Sequence, residues 1–476
     1  MTAASVLLPG FDGPILPEWL DRRLRAGLAG VCLFGANIVS REQVAELVAA
    51  IRAANPRAII AIDEEGGDVT RLHYDVGSPY PGNAVLGRLD DEALTEHVAR
   101  AVGWELRRFG IDLDLAPDAD INSNPDNPVI GTRSFGADAG LVARHTAAWV
   151  RGLQSTGVAA SVKHFPGHGD TAQDSHLALP VVSAHLETLH RRELAPFVAA
   201  VEAGVRTVMS SHILLPALDA ERPATLSPRV LTGLLRDELG FDGVIVSDAL
   251  DMAGASAGRG IPAAAALALA AGCDLLCLGT NGTEQQLDDI EAAVEAARAS
   301  AELDPARLAD AARRVAALAE ESAALAAARP VATEGTGAGA SVVEGGMLRS
   351  AIEARPGIRI AQDRELIVLA TTVNIAVGTA PWGPAAAGAT VRVVHEGESI
   401  SPRTGAQPVL IGQGNHRHDW VGAAIATVRS EHPDAVVVEM GWPSSDRAHA
   451  DIVTWGASRA MGEALLAWLQ EQEERS

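Results

Sequence analysis

Between residues 163 and 176 the chain reads KHFPGHGDTAQDSH, so three histidines, two aspartates and a lysine fall within fourteen positions. Pro166, Gly167 and Gly169 interrupt any regular helix or strand there, which predicts a shaped loop, and polar density on such a loop usually serves function. Asp174 and His176 stand two apart, a spacing that lets the carboxylate accept from one imidazole nitrogen while the other faces a ligand. That is an acid/base device, although the same pair would also serve simply to pin the loop. Asp248, in VIVSDALDM, follows an apolar run. A lone carboxylate at a strand end is often a helix cap, but opposite an acid/base it becomes a candidate nucleophile for a two-step displacement at an anomeric carbon. Asp63 in AIDEEGG, Arg133 in IGTRSFG, and the Lys163–His164 pair offer charge-assisted hydrogen bonds to sugar hydroxyls. Lys163 is the only lysine among 38 basic residues. A compact ammonium at that point makes contacts a planar guanidinium would not.

The elements needed to position these groups are legible as eight short apolar, β-branched runs at residues 5–8, 30–34, 58–62, 111–115, 158–162, 207–210, 243–247 and 274–278. Helical stretches separate them, the pattern of a (β/α)₈ TIM barrel. Asp63, Asp118, Lys163 with His164, His212 and Asp248 follow the third to seventh runs in turn, so all are expected on the one rim where barrel enzymes carry their sites. The sequence divides into a barrel domain at 1–329, a linker at 330–346 (PVATEGTGAGASVVEGG) and a small C-terminal α/β sandwich domain at 347–476. In the last part, strands are predicted at 365–373, 391–395, 408–411 and 435–440 and a helix at 455–471, with no chemical constellation among them.

Composition narrows the partners. A net charge of −23 disfavours nucleic acid and anionic membranes, and no apolar run is long enough to cross a bilayer. Cys32, Cys273 and Cys277 each lie in apolar segments and imply no disulfide framework. The opening MTAASVLLPGFDGPIL reads as a first strand and not as a secretion signal, which predicts a cytoplasmic protein.

Taken in order, GVCLFGANI, IDEEGGDVTRL, LAPDADINSNPDNPVIGTRSFG, KHFPGHGDTAQDSH, VMSSHI and IVSDALDM resemble glycoside hydrolase family 3, and within it the bacterial β-N-acetylglucosaminidases (β-N-acetylhexosaminidases), over residues 1 to about 325. The resemblance implies a retaining hydrolase of terminal β-linked N-acetylglucosamine (GlcNAc), with Asp248 as nucleophile and Asp174/His176 as acid/base. It implies that Asp63, Arg71, Arg133, Lys163, His164 and Met209 bind the non-reducing sugar, with no metal and no cofactor. The implied substrate is a cell-wall muropeptide or amino-sugar fragment, GlcNAc linked to anhydro-N-acetylmuramic acid being the family expectation. Asp68 stands where a common version of the family has arginine, and Asp251 where serine is more usual, which puts leaving-group or subsite preference in question. Four other readings compete: a phosphorylase that resolves the intermediate with inorganic phosphate, a β-glucosidase, a metal site drawn from His164, His168, Asp170, His176 and His212, and a Schiff base on Lys163. A non-catalytic sugar-binding protein is disfavoured by the presence of both a nucleophile and an acid/base.

Overall fold

In the computed structural model, which describes residues 2–171, 179–328, 342–371 and 376–473, the eight apolar runs form strands whose residues are almost all buried. They are β1 (Leu7–Leu8), β2 (Gly30–Leu33), β3 (Ile59–Ile62), β4 (Leu113–Asp114), β5 (Ala159–Phe165), β6 (Thr207–Ser210), β7 (Val244–Ser247) and β8 (Leu275–Cys277). All pair in parallel, in the order β1-β8-β7-β6-β5-β4-β3-β2. The ring is brought together at β1 and β2 by the Ala29 and Cys32 N–H groups, which donate to the Ala4 and Pro9 carbonyls at 2.9 and 3.0 Å. Continuous apolar runs suit strands buried on both faces, here by helices outside and by the packed barrel interior inside. Most strands are shorter than predicted, and residues 3–6 form a single helical turn instead of opening the first strand.

The C-terminal part holds a second, six-stranded sheet: β9 (Glu353–Ala354), β10 (Arg364–Leu369), β11 (Arg392–Val394), β12 (Gln407–Gly412), β13 (Val436–Glu439) and β14 (Ile452–Val453). The order is β11-β10-β12-β13-β14-β9, parallel except for β9. The two-residue strands β9 and β14 are too short to leave a periodic signal, and the sequence reading missed both. Alternation divides the sheet's faces. Ile367, Leu369, Leu410 and Val437 meet Val421, Ile425 and Val428 of the helix Asp419–Glu431. Val368, Val409, Ile411 and Val438 instead join Met461 and Leu465 of the helix Arg459–Glu473 in one core continuous with the barrel's. The helix Gly345–Ser350 begins inside the stretch expected to be linker, with Val343 already buried; residues 329–341 lie outside the described chain.

The second sheet turns its carboxyl edge toward the barrel's carboxyl rim. Beyond β10, the Ala376 carbonyl accepts from Arg71 at 2.7 Å. Beyond β12, Arg417 donates to the Pro125 carbonyl at 3.2 Å; beyond β13, Trp442 packs over Gly131; beyond β14, the Ala457 N–H donates to Asp68 at 2.8 Å. Loops at the carboxyl ends of parallel strands are where both architectures place ligands, and Ala376 of the C-terminal part joins the lining of the barrel cavity.

One device fixes strand register in both sheets. Asp112, Asp274 and Asp451 each stand one residue before a strand, and each accepts at 2.9 Å from the N–H of the second residue of the neighbouring strand: Ile60, Ile245 and Val437. Arg52, Arg236 and Arg429, each from the helix that precedes that neighbouring strand, bind the same carboxylates. Asp274, fully buried, also takes Arg307. Removing a carboxylate that neutralises two arginines leaves cations without their partner, so Asp274→Ala should lower unfolding stability by ~3–5 kcal/mol, with a reduced urea midpoint. A midpoint equal to wild type would show that the aspartate does not hold the register.

Candidate active site

The barrel's carboxyl rim encloses a cavity of about 220 Å³. Asp63 directly follows β3 and Asp248 directly follows β7, Lys163 and His164 lie near the carboxyl end of β5, and Met209 lies in β6. Strand β5 therefore runs past residue 162, the end expected for it, and carries both basic groups into the mouth. All seven of the expected residues Asp63, Arg71, Arg133, Lys163, His164, Met209 and Asp248 line this one cavity, joined by Glu65, His168, Asp251 and Ala376. Asp174 and His176 lie outside the described residues.

A buried charge lattice forms the floor. The Lys163 ammonium lies 2.7 Å from Asp63 Oδ1 and 2.8 Å from Glu65 Oε1. Glu65 also accepts a two-pronged grip from Arg133, with Nε at 2.9 Å and Nη2 at 2.7 Å. Burial alone would raise the Glu65 carboxyl, but Arg133 and Lys163 outweigh it and hold it far below the usual carboxylate range. Burial likewise pulls the lysine down, while Asp63 and Glu65 push it further up. A Schiff-base lysine needs the opposite shift, so this geometry speaks against that alternative. Glu65 was not assigned from sequence; the available signal was its place two residues from Asp63, on the same side of an extended stretch.

His164 is set from behind. Its Nδ1 lies 2.6 Å from Asp120 Oδ2, while Asp120 Oδ1 accepts the His168 N–H at 2.6 Å. Burial lowers His164 to about 4 despite the favourable charge of Asp118, so the ring is neutral at pH 7. Since a carboxylate only accepts, the hydrogen sits on Nδ1 and the Nε2 lone pair is left for a donor, with Arg133 Nη2 3.4 Å away. Asp118, Asp120 and His164 bring three metal-capable atoms together, but the Arg133 guanidinium already lies 3.5 Å from Asp118 Oδ2. Three other residues of the competing metal reading, His168, Asp170 and His212, have partners of their own. His168 bonds Thr171 Oγ1 at 3.0 Å, Asp170 pairs with Arg192, and His212 bridges Thr225 Oγ1 and the Ala249 carbonyl at 2.9 and 3.0 Å. His212 thereby braces the turn that carries Asp248, whose carboxylate accepts the Ala249 N–H at 2.8 Å.

Residues 18–318 match the family described as "Glycosyl hydrolase family 3 N terminal domain". The chain belongs to glycosyl hydrolase family 3. A β-hexosaminidase of Stenotrophomonas maltophilia is 41% identical over 265 residues, covering 54% of this chain and 77% of that protein. The solved family 3 β-N-acetylglucosaminidase of Paenibacillus sp. FPU-7 is 31% identical, with a TM-score of 0.85 over 99% of this chain and 97% of its own. NagZ of Neisseria gonorrhoeae, solved with N-trifluoroacetyl-D-glucosamine, is 32% identical, with a TM-score of 0.55 over 67% of this chain and 99% of its own. Both parts of the present fold thus recur together in one family 3 member, while another matches only two thirds of it.

The two departures from the common family 3 pattern have different surroundings. Asp251 lies exposed at the cavity mouth, its carboxylate against Gly279 and accepting from the Thr280 N–H at 3.2 Å. Asp68 does not line the cavity. It accepts from Thr132 Oγ1 at 2.9 Å and from the Ala457 N–H, tying the loop before Arg133 to the C-terminal part. That part, which carries no chemical motif in sequence, thus reaches the site through Ala376 and through Asp68.

Because His164 titrates near 4, its ¹⁵N shifts should stay flat from pH 8 to pH 5 and report the Nδ1-protonated tautomer. An inflection at the ordinary histidine value, about 6.5, would contradict the buried Asp120–His164 arrangement.

Proposed function

We propose that the protein is a retaining exo-β-N-acetylglucosaminidase, working through a covalent glycosyl-Asp248 intermediate with Asp174/His176 as acid/base. The observation that carries this reading is that Asp248 opens onto the same cavity as Asp63, Arg133, Lys163 and His164. A carboxylate nucleophile there faces a ring of groups suited to sugar hydroxyls. A cavity of about 220 Å³ is below the usual range for ligand sites, ~300–1,000 Å³, and suits one terminal ring. The β-hexosaminidase and β-N-acetylglucosaminidase relatives support GlcNAc as that ring. Cell-wall muropeptides and amino-sugar fragments are the natural class of substrate, and three free, buried cysteines accord with a reducing, cytoplasmic setting.

In this scheme His176 protonates the departing oxygen as Asp248 attacks the anomeric carbon from the opposite face. His176, now a base, then removes a proton from water, which displaces Asp248 and restores the β-configuration. Lys163 and Arg133, fixed by Glu65, orient the ring. The cavity lining carries four carboxylates (Asp63, Glu65, Asp248, Asp251) against three cations (Arg71, Arg133, Lys163), a balance that favours neutral water over an incoming phosphate.

Release of p-nitrophenol from the β-GlcNAc and β-glucose conjugates, with and without phosphate, tests this directly. The GlcNAc conjugate should be preferred, no sugar phosphate should form, and Asp248→Ala should lose activity by several orders of magnitude. GlcNAc-1-phosphate as product would establish a phosphorylase, preference for glucose a β-glucosidase, and an unaffected Asp248→Ala would overturn the mechanism.

A further inference from the structure

One of the contacts between the two carboxyl edges ends at the stem of the loop that leads to Asp174 and His176. After β12 the chain turns through Gly414 and Asn415, whose N–H groups each donate to Glu439 at 2.7 Å; the Gly441 N–H donates to the same carboxylate at 2.6 Å. This turn presents Arg417, whose Nη2 donates to the carbonyls of Pro125 and Asn127. Asn127 is the hub on the barrel side. Its side-chain amide donates to the His168 carbonyl at 2.9 Å, the Gly169 carbonyl at 3.1 Å and Thr171 Oγ1 at 3.3 Å. Its Oδ1 accepts the Val129 and Ile130 N–H groups at 2.9 Å. The stem has little freedom of its own, because a Cβ on Gly169 would lie 1.7 Å from the Ile121 carbonyl oxygen.

We infer that Arg417 is a positioning residue for catalysis: by clamping the carbonyls at 125 and 127, it fixes Asn127 and through it the 168–171 stem from which the acid/base residues follow in the chain. The inference rests on the acid/base reading of His176. A general acid must reach its oxygen within hydrogen-bond distance, and a displacement of about 1 Å is enough to cost ~10²-fold in rate. Both carbonyls are held by one guanidinium nitrogen, Nη2, so a lysine ammonium that reached the same point would keep part of the clamp.

The test exploits the leaving group. Dinitrophenolate departs without a proton, while an alkoxide does not, and kcat/KM reports only the step that forms the glycosyl-enzyme. For Arg417→Met we expect kcat/KM on methyl β-GlcNAc to fall by ~10-fold or more, and on 2,4-dinitrophenyl β-GlcNAc by less than about twofold. Arg417→Lys should show the same split more weakly, and it carries the test if the methionine variant fails to fold. His176→Ala should show the split most strongly. Equal losses on the two substrates, or no loss, in the Arg417 variants beside a split in His176→Ala would overturn the positioning role alone. No split in His176→Ala would overturn the acid/base reading and this inference with it.

Discussion

Glu65, 3% exposed, lies between Lys163 and Arg133 and is the charge on which the mouth of the barrel is organised. Without it Lys163 would keep only Asp63, and Arg133 only the Asp118 carboxylate 3.5 Å away, so each buried charge would be under-compensated. With it in place both cations line the cavity, and Asp63 joins them from the end of β3. The same pairing removes the reactivity a lone buried lysine would have, leaving Lys163 as a permanent cation suited to holding a hydroxyl. Asp248 lines the same cavity.

Around that floor stand supports that do not line the cavity: Asp120 sets His164, His212 braces the turn at Ala249 that carries Asp248, and Asp68 joins the Arg133 loop to the C-terminal sheet. Strand register, on which all of these positions depend, is pinned at the opposite ends of the sheets by Asp112, Asp274 and Asp451. The second sheet uses its own carboxyl edge in the same enterprise, reaching Arg71, Gly131 and Asn127 on the rim.

The barrel and its rim were legible because each strand is a continuous apolar run with chemical groups at or just past its end, so that position in the chain translates into position in space. Asp63, Lys163, His164 and Asp248 came out on one cavity for that reason, whereas Arg133 reaches it from the helical turn Gly131–Arg133, well beyond β4. Glu65 and Asp120 did not stand out, since a second acid beside the first carries no periodic mark and its role appears only when distant segments converge. Asp68 and Arg417 were opaque for a stronger reason. Their partners, Ala457 and the carbonyls at 125 and 127, lie about 300 residues or more away and are backbone atoms, which no side-chain pattern reveals. The two-residue strands β9 and β14 were missed because pairing, not hydrophobic rhythm, defines them.

Covalent bonding of Asp248 to the sugar is the proposed step on which the chemistry turns. Incubation with a 5-fluoro N-acetylglucosaminyl fluoride, which slows both steps and allows an intermediate to accumulate, followed by intact-mass and peptide mass spectrometry, addresses it most directly. The account requires the addition of one glycosyl group, mapped to Asp248. Inactivation or turnover with no adduct, as when a substrate's own acetamido group acts as nucleophile, or an adduct mapped to another residue, would contradict it.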